Sequence, residues 1–112
     1  MQSTLHYLEK LVAFPTVSRD SNLELIDYIA SELDVMGIAS TLIHSEDGRK
    51  ANLWATIGPP DGQGIALSGH TDVVPVEGQN WSSDPFTLTQ RGGNLLGRGS
   101  ADMKGFIAAC LH

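Results

Sequence analysis

An α/β fold is predicted by three features of this 112-residue sequence: two amphipathic helical patterns near its start, a change of hydrophobic period after Gly37, and a return to helical spacing from Met103. A length near ~100–150 residues suits one domain with its own core. With 41% hydrophobic and 18% charged residues, the composition is that of a globular chain rather than a disordered one.

Leu5, Leu8, Leu11 and Val12 recur at helical spacing, and the pattern stops before Phe14-Pro15. Proline disfavours the helical conformation of the residue before it, so the spacing predicts a helix over Thr4–Ala13. Ser21-Asn22-Leu23-Glu24 matches a capping box, in which a hydroxyl and a carboxylate satisfy free backbone N–H groups. Leu25, Ile26, Ile29, Leu33 and Met36 continue from it as one apolar stripe, and Gly37 stands where a left-handed C-cap belongs.

Residues 38–44 and 52–57 then read as strands around the turn-like Glu46-Asp47-Gly48. Gly58-Pro59-Pro60-Asp61-Gly62 is a turn cluster, and Ile65-Ala66-Leu67-Ser68 has the near-continuous apolar character of a strand covered on both faces. A polar loop follows. Residues 86–90 and Leu95-Leu96 form a hairpin pattern around Arg91-Gly92-Gly93. Phe106, Ile107, Cys110 and Leu111 mark a last helix, with Cys110 expected in the core. No stop signal precedes His112, so the chain is expected to be the front part of a longer protein.

Charge excludes one class of partner. A net charge of −6 with seven basic residues gives no basic patch for a nucleic-acid backbone. No apolar run approaches the ~20 residues that span a bilayer. The first residues lack the basic region and apolar core of a signal peptide, and the single cysteine cannot form an internal disulfide. A soluble, cytoplasmic protein with no membrane partner is the expectation.

Two segments can carry chemistry. In Gly69-His70-Thr71-Asp72, residues two apart on an extended chain point to the same side, so His70 and Asp72 can project together from a strand end. A neutral imidazole there is a good metal ligand, and a neighbouring carboxylate can fix its tautomer. The same tetrapeptide also fits a histidine hydrogen-bonded to a local aspartate in a turn. In Gly97-Arg98-Gly99-Ser100-Ala101-Asp102-Met103-Lys104-Gly105, neither a dinucleotide fingerprint nor a P-loop is present. Asp102 there can bridge two cations through its two oxygens, or cap the helix that follows. His6 and His44 read as ordinary histidines, and Trp54 and Trp81 as packing residues. Arg98 and Lys104 suit either substrate charge or local acids. No serine or cysteine sits in a nucleophile elbow.

Taken together, Gly69-His70-Thr71-Asp72-Val73-Val74-Pro75-Val76, the stretch from Trp81 through Asp84-Pro85-Phe86, and Gly97-Arg98-Gly99 through Ala101-Asp102-Met103-Lys104-Gly105 resemble the zinc-dependent exopeptidase and deacylase family. The resemblance implies a mixed central sheet flanked by helices, here as a truncated catalytic domain. It implies that His70 ligates one metal, that Asp102 bridges two, that Asp72 is the neighbouring catalytic carboxylate supporting the site, and that the Asp102–Met103 peptide bond is cis. The implied cofactors are two Zn²⁺ ions, with Co²⁺ an option. Ser18-Arg19-Asp20-Ser21-Asn22-Leu23 and Gly48-Arg49-Lys50-Ala51-Asn52-Leu53 are most similar to the branch that hydrolyses N-acetylornithine to ornithine and acetate. Phe106 after Lys104-Gly105 fits that branch too, whereas Leu96 and Ser100 depart from its usual residues without touching a ligand.

The implied partner is a small N-acyl amino acid, and the implied assembly is a homodimer through a lid domain not contained here. Alternatives are the branch acting on succinyl-diaminopimelate, a broad aminoacylase or peptidase, or, in another class, a non-catalytic metal or peptide binding module. The family's general base is a glutamate of a Glu-Glu pair. No such pair occurs in this sequence, so residues 1–112 alone are expected to be inactive.

Overall fold

Helices α1 (Thr4–Ala13), α2 (Leu23–Val35) and α3 (Gly105–Leu111), with strands β1 (Ser40–His44), β2 (Ala51–Ala55), β3 (Thr89–Arg91) and β4 (Asn94–Leu96), make up the computed structural model, which describes residues 2–59 and 61–112. They fall into two compact units: Met1–Arg19 with Gly69–His112, and Asp20–Ser68.

In the first unit, α1 begins where the Ser3 hydroxyl accepts from the His6 N–H. It ends where Phe14 turns extended ahead of Pro15. Tyr7, Leu8, Leu11 and Val12 are buried, while Leu5 stays half exposed. The apolar face packs on α3, where Ala108 and Leu111 are buried. Lys104 falls on the same stripe, one turn earlier. It is fully buried, and its Nζ donates to the Phe14 carbonyl at 2.6 Å. Burial pushes the ammonium pKa down to about 8. The Phe14 carbonyl lies at the negative end of α1, so one charged hydrogen bond offsets part of that desolvation.

Cys110 does not share this stripe. It faces outward with Phe106, because Lys104, Ala108 and Leu111 already occupy the buried face. The expectation of a core cysteine is thereby corrected.

In the second unit, Leu25, Ile26, Ile29 and Leu33 of α2 are buried and the helix packs on β1 and β2. The expected capping box does not form. Asn22 is the N-cap residue, and its amide is engaged by both backbone groups of Ala51, donating to the carbonyl at 2.9 Å and accepting from the N–H at 3.0 Å. This pins the start of α2 to β2. At the other end Gly37, at φ 75°, closes a Schellman motif: its N–H reaches the Asp34 carbonyl and that of Ile38 the Leu33 carbonyl.

β1 and β2 pair antiparallel, His44 opposite Ala51, around the turn that the sequence predicts. Trp54, expected to pack, is 63% exposed on the outer face of that hairpin. β3 and β4 pair antiparallel with Arg91 opposite Asn94, leaving Gly92-Gly93 as a two-residue loop with both φ angles positive.

The α/β class stands, but the sheet component takes the form of two separate antiparallel pairs. Ile65-Ala66-Leu67-Ser68 forms no strand, and Ile65 and Leu67 are 91% and 66% exposed. An apolar run buried on both faces needs neighbours on both sides, and no described residue pairs with it. One parallel bridge, between Val17 and Val73, lies outside the hairpins.

Two glycines give a test of the packing. A Cβ on Gly99 (φ 79°) would lie 2.5 Å from Val73 Cγ1, whereas one on Gly48 (φ 68°) would meet nothing within 4 Å. Both alanine variants incur left-handed strain; only Gly99→Ala adds a core clash. Urea denaturation should show a loss of about 1 kcal/mol for Gly48→Ala and about 2–4 kcal/mol for Gly99→Ala. Equal losses would contradict this packing.

Candidate metal centre

The segment after Ser68 is held in place from the chain that follows α1. The Val73 N–H donates to the Thr16 carbonyl at 2.9 Å, and the Ser18 N–H donates to the Val73 carbonyl at 3.0 Å. The Thr16 hydroxyl adds a 2.6 Å bond to the Thr71 carbonyl. Thr16, Val17 and Val73 are buried, so these bonds are shielded from water. They set the extended course of residues 70–73, which gives His70 and Asp72 their common side.

The second half of the site comes from the loop leading into α3. Residues Ser100–Lys104 are wound, but Asp102 and Met103 leave helical geometry, and the peptide bond between them is cis as expected. The N-cap position of α3 belongs to Lys104, so Asp102 is not a helix cap. Instead its carboxylate is presented outward beside the imidazole. Gly105 permits the tight entry, since a Cβ there would lie 2.4 Å from the Ser100 carbonyl oxygen.

His70 sits between two acids. Its Nε2 is 2.9 Å from Asp102 Oδ1, across a sequence separation of 32 residues. Its Nδ1 is 3.1 Å from the Asp72 carbonyl oxygen and 3.3 Å from Asp72 Oδ1. The backbone N–H of His70 reaches Met103 Sδ at 3.3 Å, tying the two segments again. The Asp72 carbonyl raises the imidazole pKa above its ordinary 6.5. Partial desolvation opposes this, and the hydrogen bond and charge of Asp102 reinforce it.

Ser18 is a participant that the sequence did not single out. Its hydroxyl donates to Asp72 Oδ2, with a second contact to the Val73 carbonyl at 3.3 Å. Ser18, His70, Asp72, Arg98 and Asp102 line a cleft of about 240 Å³. Among the described residues no group of three His, Cys, Asp or Glu side chains closes around an ion. Two donors at ~2.0–2.1 Å from one ion, at angles between ~90° and ~109°, are ~2.9–3.4 Å apart. The His70–Asp102 separation fits that range, so the side chains present match part of a metal site.

Three expectations for other residues resolve here. Arg98 stacks over Trp81 at 5.0 Å and bonds Gln79 rather than an acid. Lys104 meets a backbone carbonyl rather than substrate or an acid. His6 and His44 are not among the residues that line the cleft.

Residues 66–112 match the family model described as peptidase family M20/M25/M40. A protein named acetylornithine deacetylase from Pasteurella multocida is 42% identical over 95% of this chain and 29% of its own length. A succinyl-diaminopimelate desuccinylase from Acidovorax ebreus is 40% identical over 97% of this chain and 30% of its own length. The crystal structure of human carnosine dipeptidase 1 superimposes with a TM-score of 0.84, at 24% identity, over 96% of this chain and 26% of that one. The chain thus spans less than a third of the curated relatives it matches, and shares its fold with the dipeptidase. No helix among the described residues is long and apolar enough to cross a membrane. The stretch that carries His70, Asp72 and Asp102 is thus the part of the chain that matches peptidase family M20/M25/M40.

Proposed function

We propose that the complete protein is a metal-dependent hydrolase of N-acyl amides, acting on N-acetylornithine to give ornithine and acetate. The observation that carries this reading is the 2.9 Å approach of His70 Nε2 to Asp102 Oδ1, with Asp72 behind the other ring nitrogen. The relatives named acetylornithine deacetylase favour the acetyl substrate. We assign His70 as a ligand of one Zn²⁺, Asp102 as the carboxylate shared by two, and Asp72 as the group that orients His70. Co²⁺ could occupy the same donors.

Bound there, such ions would lower the pKa of a coordinated water towards ~7 and polarise the scissile carbonyl. The chain's own part is preparation. The Asp72 carbonyl and carboxylate face Nδ1, favour the tautomer with its proton there, and leave the Nε2 lone pair free toward Asp102. Asp102 carries negative charge into a cleft where a cation would otherwise be poorly held. His70 and Asp102 supply two donors against the ~three protein ligands usual for catalytic zinc. The general base belongs to a glutamate pair that this sequence does not contain. We place that base, and a dimerising lid domain, elsewhere in the complete protein, and assign the protein to the cytoplasm.

A second reading within the family is the desuccinylase, supported by the relative from Acidovorax ebreus. Parallel assays of the complete protein on N-acetylornithine and N-succinyl-diaminopimelate separate the two. The acetyl substrate should have the higher kcat/KM by at least ~10-fold, a difference of ~1.4 kcal/mol in transition-state binding; the reverse preference would select the desuccinylase. His70→Ala and Asp102→Ala should each lower kcat/KM by more than ~100-fold. A non-catalytic binding module would show no turnover in any variant, wild type included. Residues 1–112 alone should bind Zn²⁺ at least ~100-fold more weakly than the complete protein and produce no ornithine.

A pH dependence follows from the raised pKa of His70. The protonated ring stabilises the metal-free fold fully below the ordinary value of 6.5, and this stabilisation is lost as pH rises through the higher folded-state value. Metal uptake runs the other way, because it needs the neutral ring. NMR titration of the metal-free protein should give a His70 pKa above 6.5, and Asp102→Asn should lower it without fully normalising it, since the Asp72 carbonyl remains. A wild-type value at or below 6.5 would contradict the observed geometry.

A further inference from the structure

We infer that Ser18 is a positioning residue for the metal centre: its hydroxyl fixes the Asp72 carboxylate, and through it the orientation of His70. This inference rests on the metal-site reading above.

An aspartate can hold an imidazole in one tautomer only if its own carboxylate is held. Asp72 presents Oδ1 to His70 Nδ1 at 3.3 Å, and its other oxygen, Oδ2, accepts the Ser18 hydroxyl proton. Occupying Oδ2 restricts rotation about the Cβ–Cγ bond, which would otherwise swing Oδ1 away from the ring. The alternative acceptor for the hydroxyl, the Val73 carbonyl at 3.3 Å, is longer and uncharged. A bond to an ionised carboxylate is the stronger of the two.

The placement of Ser18 is not a local accident of a loop. Residue 18 is set by the backbone bond from its own N–H to the Val73 carbonyl and by the Val73 N–H bond to Thr16. The Thr16 hydroxyl on the Thr71 carbonyl fixes the same register from a buried position. A serine suits this place because it is neutral. It orients Asp72 without cancelling the charge that stabilises a proton on Nδ1 or a cation on Nε2. The order of support is therefore Ser18, Asp72, His70, and only the last faces Asp102.

The test compares wild type, Ser18→Ala, Ser18→Thr and His70→Ala in the complete protein, reading Zn²⁺ affinity by calorimetry and kcat and KM on N-acetylornithine separately. Ser18→Ala should weaken Zn²⁺ binding about tenfold and lower kcat about tenfold, with KM changed less than about twofold. Ser18→Thr keeps the hydroxyl and should recover both quantities to within about threefold. Recovery by threonine separates the hydrogen bond from any effect on folding, which the thermal midpoints also report. Wild-type affinity and kcat in Ser18→Ala, or threonine as impaired as alanine, overturns the role of Ser18. If His70→Ala itself leaves Zn²⁺ affinity and turnover unchanged, the metal-site reading falls, and the role of Ser18 falls with it.

Discussion

Both halves of the candidate site depend on the short run that follows α1. The Phe14 carbonyl takes the buried Lys104 ammonium, which anchors the loop carrying Asp102. Thr16 and Ser18 take the backbone of residues 71–73, which carries His70 and Asp72. Two segments separated by 32 residues thus meet because each is tied to the same few residues. Loop closure over such a separation costs conformational entropy, and surface polar contacts alone would not offset it. The contacts here are buried or rest on buried backbone, where a hydrogen bond is harder for water to replace.

Lys104 shows how an unfavourable group can serve this arrangement. An isolated ammonium in a core is strongly disfavoured, and its pKa of about 8 records that. Its single short bond goes to a carbonyl at the end of a helix, where the backbone lacks an intrahelical partner and carries partial negative charge. Removing the side chain would leave a cavity and take from the Phe14 carbonyl its charged donor, leaving the Thr16 N–H at 2.8 Å. The lysine is therefore structural in place and yet sets where Asp102 emerges two residues earlier.

Much of this was legible from residue types. Helix α1 matches its expected span because its face and its proline stop are both local signals. The Gly37 cap and the Gly92-Gly93 turn were legible for the same reason: positive φ selects glycine. His70 and Asp102 came from motif order, and Asp72 from two-residue spacing. The misreadings are non-local. Asn22 displaced the capping box because Ala51, far along the chain, offered its amide two better partners. Cys110 lost the core to a stripe whose first member is a lysine; the spacing of Lys104 with Ile107, Ala108 and Leu111 was visible, but polarity hid it. Ile65 and Leu67 read as buried from hydrophobicity alone, which says nothing about whether neighbouring strands are at hand. Ser18 and Thr16 left no periodic trace, since their partners are backbone carbonyls and a carboxylate met only in three dimensions.

The electrostatics of the cleft favour a positive charge at one point. His70 is flanked by the carbonyl and carboxylate of Asp72 on one ring edge and by Asp102 on the other. Without a metal, the positive charge these groups favour is a second proton on the ring, so its affinity for protons is raised. A divalent ion at Nε2 would face the same two carboxylates with twice the charge, and it would displace that proton rather than bind beside it. Under the proposed assignment, proton and metal would therefore compete for one pair of atoms. The geometry that holds the proton is the geometry proposed to hold the ion, and a side chain that keeps Asp72 in line, as Ser18 does, acts on both.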